Sequence, residues 1–173
     1  MLEHEKLEQA IQLAEKITET KDTNRLTFYD PYEYQDNFHA AKDNNGRLAR
    51  QRLLMAANKT GKTFCGAAEM AYHLTGKYPK WWKGYRFKGP IKAWAAGNTT
   101  ANTRDIVQAE LFGEPGDDED FGKGAVPKES IIKWERQPGI PNAISTVTVR
   151  HASGRNSKCF MKSYEQGKQA WMG

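Results

Sequence analysis

A glycine-lysine-threonine triplet, set between an apolar run and an amphipathic stretch, most constrains what this chain can fold into. The triplet 61–63 follows the apolar run 53–57 and precedes segment 64–74, whose apolar residues recur at helical spacing. The stretch stops at Gly76, the expected left-handed terminator. A short apolar run is typical of a buried strand in a parallel sheet. The sequence therefore predicts a strand, a tight loop and a helix in succession.

The loop between that strand and that helix matches a phosphate-binding pattern. Residues 56–63 follow GxxxxGK[ST], with Ala56 in place of the first glycine. Backbone N–H groups at a helix N-terminus can hold a phosphate, and Gly61 lets the backbone approach the anion closely. Lys62 would reach the β- and γ-phosphates as a compact cation, and Thr63 would place its hydroxyl on Mg²⁺. The segment predicts binding of a nucleoside triphosphate with Mg²⁺.

A second strand and helix follow in the same order. The apolar run 91–96 predicts a strand, and residues 100–112 predict a helix after a Thr or Asn cap. Further on, 144–149 and 158–163 alternate as two strands joined by the turn residues 152–156. Alternation of strands and helices favours an α/β fold with a mostly parallel sheet.

The N-terminal part has a different character. Residues 2–20 are rich in helix formers and carry an apolar stripe at helical spacing, so they predict an amphipathic helix. Its charge run suits a solvated face, and a lid or a surface for docking a partner is the alternative. The polar and aromatic segment 21–45 predicts a structured loop.

Composition excludes several classes of protein. The 173 residues carry 26 Lys and Arg against 21 Asp and Glu, a formal charge of +5 that permits contact with a polyanion without requiring it. A mean hydropathy of −0.81 and the lack of any long apolar stretch exclude a membrane span. The two cysteines, Cys65 and Cys159, lie far apart, which excludes a disulfide scaffold or a zinc ribbon and favours an intracellular setting.

Several stretches of the chain together resemble the large terminase subunit of tailed bacteriophages, the ATPase that pumps DNA into capsids. The resemblance covers most of the chain after residue 28, and members commonly lack the first glycine of the loop, as Ala56 does here. It implies an α/β fold of the P-loop NTPase type (RecA-like, additional-strand), with an incomplete parallel-sheet core preceded by the amphipathic helix. The implied organisation is an N-terminal helical segment, 1–27, and a partial ATPase domain, 28–173. The stretches that carry the resemblance are 34–35, 55–82, 94–113 and 162–173.

The resemblance also implies roles for individual residues. Gln35, preceded by Tyr34 and followed by Phe38, resembles the family's adenine-recognition motif, in which one amide offers both a donor and an acceptor to the base. An ordinary loop glutamine is the alternative. Asn58 stands where many members carry arginine, which leaves open whether Lys59 or another basic side chain supplies that charge. The implied nucleotide-binding residues are Gln35, Asn58, Lys59, Thr60, Gly61, Lys62 and Thr63, with Lys62 catalytic and Thr63 on Mg²⁺.

Two further features have open interpretations. Arg104, early on the second predicted helix, could act on a nucleotide in cis or across a subunit interface, and an ion pair with Asp105 is the alternative. The pair Trp81 and Trp82, set among lysines and arginines of 77–88, could follow a DNA backbone or could close the core with the cations left in solvent. Packing is the favoured interpretation for the tryptophans.

A complete motor also needs carboxylates that hold Mg²⁺ and orient the attacking water. Their pattern is an apolar run ending in Asp-Glu, and the acidic stretch 117–120 follows a Gly-Glu-Pro-Gly turn instead, as a solvated loop does. By resemblance, the chain ends before this Walker B strand and before the nuclease domain. We therefore expect nucleotide binding with little or no hydrolysis by this chain alone.

The resemblance implies ATP and Mg²⁺ as cofactors and a motor that translocates double-stranded DNA into the procapsid. It implies double-stranded DNA, the portal protein and the small terminase subunit as partners, a ring-forming homo-oligomer for the full-length protein, and the host cytoplasm as the setting. Two alternatives stay open. One is another P-loop ATPase, such as a helicase-like enzyme, and the other is a non-catalytic basic fragment that binds nucleic acid or protein.

Overall fold

Three helices precede the first strand of the sheet in a computed structural model that describes residues 2–116 and 120–172. The third forms where the sequence predicts it, because its alanine-rich face packs into the core. It ends at Gly76, whose φ of 68° lies in the left-handed region that glycine adopts without a Cβ penalty. The three helices are α1 (Leu2–Thr23), α2 (Glu33–His39) and α3 (Lys62–Thr75).

The predicted amphipathic helix is confirmed as α1, and its apolar residues face solvent. Leu7, Ile11 and Leu13 are each at least half exposed. The prediction that 21–45 is a loop is wrong in part, since this segment contains α2 and a 3₁₀ turn at Arg25–Phe28. The short sequence of α2 shows no helical apolar period, and side-chain contacts to the rest of the protein hold it in place.

Four strands form one sheet in the order β1-β4-β3-β2. Only β1 and β4 pair in parallel, and the other two pairings are antiparallel, so the expectation of a mostly parallel sheet is wrong for the part of the chain described. The physical reason is that short connections link β2 to β3 and β3 to β4, and short connections join antiparallel neighbours. The strands are β1 (Lys92–Gly97), β2 (Ile131–Arg136), β3 (Ile144–Arg150) and β4 (Asn156–Ser163).

Three of these strands are the ones that the sequence predicts. The hairpin of β3 and β4 is confirmed, with Val147 opposite Cys159, both fully buried. Strand β2 was not predicted, because it is a mostly exposed edge strand with two register shifts against β3 and shows little apolar alternation.

The strand predicted at 53–57 does not form, and this prediction is wrong. Leu53 and Met55 are 80% and 81% exposed. A strand needs a neighbour to satisfy its backbone N–H and C=O groups, and none of the four described strands pairs with residues 53–57. The run therefore lies at the surface without regular structure and leads directly into the loop.

The second predicted helix is confirmed as one continuous helix over 100–112, which we call α4. Thr99 caps it by accepting a hydrogen bond from the backbone N–H of Asn102 at 3.1 Å. Its middle, Thr103–Gln108, is π-helical, between α-helical turns at Thr100–Asn102 and Ala109–Phe112. The buried Gln108 amide bonds the backbone at Asn142 and Ile144, which ties the helix to the start of β3.

The core lies between one face of the sheet and helices α3 and α4. An aromatic group extends it, in which Trp82 is 4% exposed and its ring lies 5.3 Å from that of Tyr72. The predicted packing role of the tryptophans is confirmed.

No helix within residues 2–116 and 120–172 has the length and apolar character needed to cross a bilayer. The acidic residues Asp117, Asp118 and Glu119 lie outside the described residues. The core residues include Ala68, Ala71, Leu74, Phe112, Val126, Val147 and Val149.

Candidate phosphate-binding loop

The loop before α3 leads directly into the N-terminus of that helix. Two of its residues adopt left-handed conformations, Lys59 with φ 61° and Gly61 with φ 80°. At Gly61 a side chain would be strained by this φ, and its Cβ would lie in tight contact with Gln35 Nε2, at 3.1 Å. Gly61 is the N-cap of α3, so the loop delivers the chain to a helix N-terminus. Such a terminus presents unpaired backbone N–H groups that favour an anion.

The ammonium group of Lys62 folds back over the loop. Lys62 Nζ donates hydrogen bonds to the backbone oxygens of Ala56, at 2.8 Å, and of Ala57. The Thr60 hydroxyl closes the turn from the other side by donating to Ala57 O at 2.9 Å. A positive charge is thus held within the curve of the loop, where an anion would meet it. Asn58 and Lys59 lie at the exposed tip of the turn.

Thr63 lies on the first turn of α3 with its side chain exposed. It lines a shallow groove together with Lys62, and α4 forms the opposite wall with Val107 and Glu110. A hydroxyl one residue beyond the lysine, open to solvent, is free to coordinate a metal ion. The donor set of loop amides, ammonium and hydroxyl fits a triphosphate with Mg²⁺.

Two side chains of α2 hold the loop from behind. The Tyr34 hydroxyl donates a hydrogen bond to Thr60 O, and Gln35 Nε2 donates to Gly61 O at 3.2 Å. Gln35 is only 3% exposed, and its Oε1 accepts a hydrogen bond from the backbone N–H of Tyr32 at 3.0 Å. The family resemblance implies that Gln35 contacts adenine, and the structure brings its side chain against the loop. The contact of Tyr34 was not predicted.

A buried carboxylate joins α3 to α2. Glu69 Oε2 lies 2.8 Å from His39 Nδ1 and accepts a hydrogen bond from Arg52 Nη1 at 3.2 Å. Glu69 Oε1 accepts a second hydrogen bond from Arg52 and lies 3.3 Å from His73 Nε2. The side chains of His39 and Glu69 are 0% and 9% exposed. Sequence analysis missed this cluster, although a glutamate on the apolar face of a predicted helix is a signal that could have indicated it.

The charges of the cluster follow from its contacts. Burial disfavours the charged carboxylate of Glu69, but hydrogen bonds with His39 and His73 and the ion pair with Arg52 hold its pKa well below the usual range. Burial also opposes protonation of His39, yet its contacts with Cys65 and Glu69 outweigh burial and raise its pKa to about 9. At neutral pH the cluster is an ionised Glu69 between two cations, His39 and Arg52.

Arg104 lies away from the loop. It forms an ion pair with Asp105, with Nε 2.6 Å from Oδ1, and Nη1 donates to Pro141 O at 3.2 Å. Its guanidinium borders a separate small cleft that also contains Thr100 and Lys162. The structure thus shows the ion pair with Asp105 that was the alternative interpretation, and it does not bring Arg104 to Lys62.

Comparisons with known proteins place these features in a family. The family model described as Terminase large subunit, T4likevirus-type, N-terminal, matches residues 53–173. The terminase large subunit of Salmonella phage P22 is 35% identical over 186 aligned residues, which cover 96% of this chain and 36% of that protein. The chain thus spans about a third of the length of the curated relative that it matches. No solved structure matches the chain.

Proposed function

This chain belongs to the terminase large subunits, and we propose that it is the nucleotide-binding part of a phage DNA-packaging motor. In this proposal the four-stranded sheet and its helices form part of a P-loop NTPase core. The activity of the whole motor, hydrolysis of ATP coupled to translocation of double-stranded DNA into a procapsid, is part of the same proposal.

The observation that carries the proposal is the position of Lys62. Its ammonium lies over a loop that ends at the N-terminus of α3, so a cation and a helix terminus act on the same small volume. A triphosphate in this loop would exchange the carbonyl contacts of Lys62 for contacts with its β- and γ-oxygens. The backbone of Thr60 and Gly61 would provide amide donors, and Asn58 and Lys59 would border the phosphates from the tip of the turn.

Magnesium fits the same site through Thr63. The exposed hydroxyl is a hard oxygen ligand on the side of the loop that faces the groove between α3 and α4. When bound, Mg²⁺ would supply positive charge that neutralises the phosphates. Lys62 stabilises the charge of the phosphoryl group from the other side, which is the catalytic role that we assign to it.

Base recognition is assigned to Gln35. Its amide bonds Gly61 and Tyr32 and the residue is 3% exposed, so contact with an adenine would require the side chain to turn out of this position. Arg104 is proposed to act at a subunit interface, since it lies on a different side of α4 from the groove that Thr63 lines. Such a role would require the ring-forming homo-oligomer.

The proposed partners are double-stranded DNA, the portal protein and the small terminase subunit, and the proposed setting is the host cytoplasm during phage assembly. The net charge of +5 suits contact with DNA, because phosphate contacts need only positioned cations.

The test is a calorimetric titration of the 173-residue chain with ATP and Mg²⁺. Lys62→Ala removes the cation from the loop, and we expect its affinity for Mg·ATP to fall by about 10- to 100-fold, as for a lost charge-assisted hydrogen bond. Lys88→Ala, which removes an exposed lysine outside the loop, is the matched control and should bind as the parent chain does. Equal affinities of the parent chain and Lys62→Ala would refute the proposal and leave an inert loop in a binding module.

A further inference from the structure

Two peptide groups of the loop are oriented from outside it. In a trans peptide the C=O and N–H groups point in opposite directions. Tyr34 holds the carbonyl of Thr60, so the N–H of Gly61 is turned to the other side. Gln35 donates to the carbonyl of Gly61, which also accepts the first hydrogen bond of α3 from the Cys65 N–H at 2.9 Å, so α2 and α3 together orient the N–H of Lys62. Helix α2 therefore sets the direction of one amide that a phosphate would meet, at Gly61, and supports that of the next.

The position of α2 depends in turn on α3. Gln35 and His39 are four residues apart on α2, and Gly61, Cys65 and Glu69 are spaced by four on the facing side of α3, so the two rows meet along one seam. The seam begins at Gln35 and Gly61, continues where Cys65 Sγ lies 3.6 Å from His39 Nε2, and ends at the 2.8 Å contact of His39 with Glu69.

Glu69 fixes the far end of this seam in two ways. It binds the side chain of His39 directly, and it also binds Arg52, whose Nη1 donates to the carbonyls of Phe38 at 3.0 Å and His39 at 3.2 Å. These are the last two carbonyls of α2, and that of Phe38 also accepts a hydrogen bond from the Ala41 N–H at 3.3 Å. Both routes from Glu69 thus converge on the C-terminal end of α2.

We propose that Glu69 is a positioning residue for the phosphate-binding loop, acting through α2. The inference rests on the proposed function, because it gives the loop a phosphate ligand. Glu69 itself touches no loop residue among its described contacts, so its effect on the ligand passes through His39 and Arg52 to α2, and from Tyr34 and Gln35 to the loop.

The test uses tripolyphosphate with Mg²⁺ as the probe, because it has no base and so reports on the loop without the base contact of Gln35. The 173-residue chain is titrated as the parent, as Glu69→Gln, as Tyr34→Phe and as the double variant. Glu129→Gln, which breaks an exposed ion pair with Lys77, is the matched control. Far-UV circular dichroism verifies that each variant is folded at the temperature of the titration.

We expect Glu69→Gln to weaken tripolyphosphate binding by about tenfold, as for the loss of an oriented amide contact. Tyr34→Phe should weaken it several-fold, and the double variant should bind within about twofold of Glu69→Gln, because the two changes act on the same route. Glu129→Gln should bind as the parent does. Glu69→Gln within twofold of the parent, or a double variant that shows the product of the two losses, would overturn the inference.

The design separates this inference from the proposed function. A parent chain whose tripolyphosphate binding is unaffected by Lys62→Ala would overturn the proposed function and this inference with it. Binding that needs Lys62 but ignores Glu69 would overturn the inference alone. If Glu69→Gln does not fold, His39→Gln takes its place, since it keeps the pair of Glu69 and Arg52. A His39→Gln loss of at least threefold is expected, and an unchanged affinity would overturn the inference.

Discussion

The folding free energy of this protein should depend on the protonation of one buried histidine. His39 has an ordinary pKa of 6.5, and its contacts raise this value to about 9 in the folded chain. A group whose pKa is raised by folding stabilises the native state below its unfolded pKa, and this stabilisation disappears as the pH rises through the folded pKa. At about 1.4 kcal/mol per pH unit, the interval between the two values corresponds to roughly 3 kcal/mol.

The assay is urea unfolding followed by far-UV circular dichroism between pH 6 and pH 9.5. We expect the difference in unfolding free energy between the parent chain and His39→Gln to fall by roughly 3 kcal/mol over that range. The groups that face His39 are Glu69, Cys65 and Tyr29, whose hydroxyl lies 2.9 Å from Nε2. Burial raises the pKa of the Tyr29 phenol, which adds a loss of stability only as the unfolded chain begins to ionise near pH 10. The range stops at pH 9.5 for that reason.

His39→Gln is the control, because a glutamine keeps polar atoms near Glu69 and does not titrate. The variant should be less stable than the parent at pH 6, and the difference should shrink to within about 0.5 kcal/mol at pH 9.5 if the protonated imidazole is its cause. Parallel curves for the parent and the variant over the whole range would show that His39 is not charged in the native state, and would refute the reasoning.

Two predictions concern residues away from the loop. Gly76→Ala should destabilise the chain by about 2 to 4 kcal/mol, because φ is 68° and the new Cβ would lie 2.3 Å from His151 Nε2. The control is Gly46→Ala, which should cost only about 1 kcal/mol because Gly46 has a similar φ and no atom within 4 Å of the new Cβ. Equal losses of stability in thermal unfolding would contradict the steric argument. Thr103→Val should lower the unfolding free energy by about 1 to 3 kcal/mol, because the Thr103 hydroxyl accepts a hydrogen bond from the Gly97 N–H and donates one to the carbonyl of Lys162. Thr23→Val, on the exposed helix α1, is the control. A urea midpoint of Thr103→Val equal to that of the parent would count against this role.

The sequence predicted those elements whose local pattern agrees with their surroundings. Helix α3 has an apolar face, a glycine at each end and a core to pack against, so pattern and structure coincide. The run 53–57 has the composition of a buried strand, yet strand formation depends on a neighbour that composition cannot reveal. The opposite error concerns β2. Its sequence has little apolar alternation and so does not predict a strand, and pairing with β3 holds the segment in that conformation.

The candidate site could likewise be predicted from the sequence only in part. The motif identifies Gly61, Lys62 and Thr63 from three adjacent letters, since their roles follow from residue type and order. The contact of Tyr34 with Thr60 and the cluster around Glu69 join residues that are 26 and up to 30 positions apart. Which distant polar groups meet depends on how α2 packs on α3, and a single sequence carries no record of that packing.

The ammonium of Lys62 is hydrogen-bonded to two carbonyls of its own loop, and these contacts weaken its attraction for an incoming anion. Any anion that binds must replace the hydrogen bonds of Lys62 to these two carbonyls. Its net gain is therefore its own attraction to the ammonium minus the interaction of the ammonium with the carbonyls. In the proposed function, a chloride ion or a lone phosphate would make few contacts in that exchange, whereas a chain of phosphates would offer several oxygens at once. The loop should therefore discriminate against the abundant small anions of its surroundings.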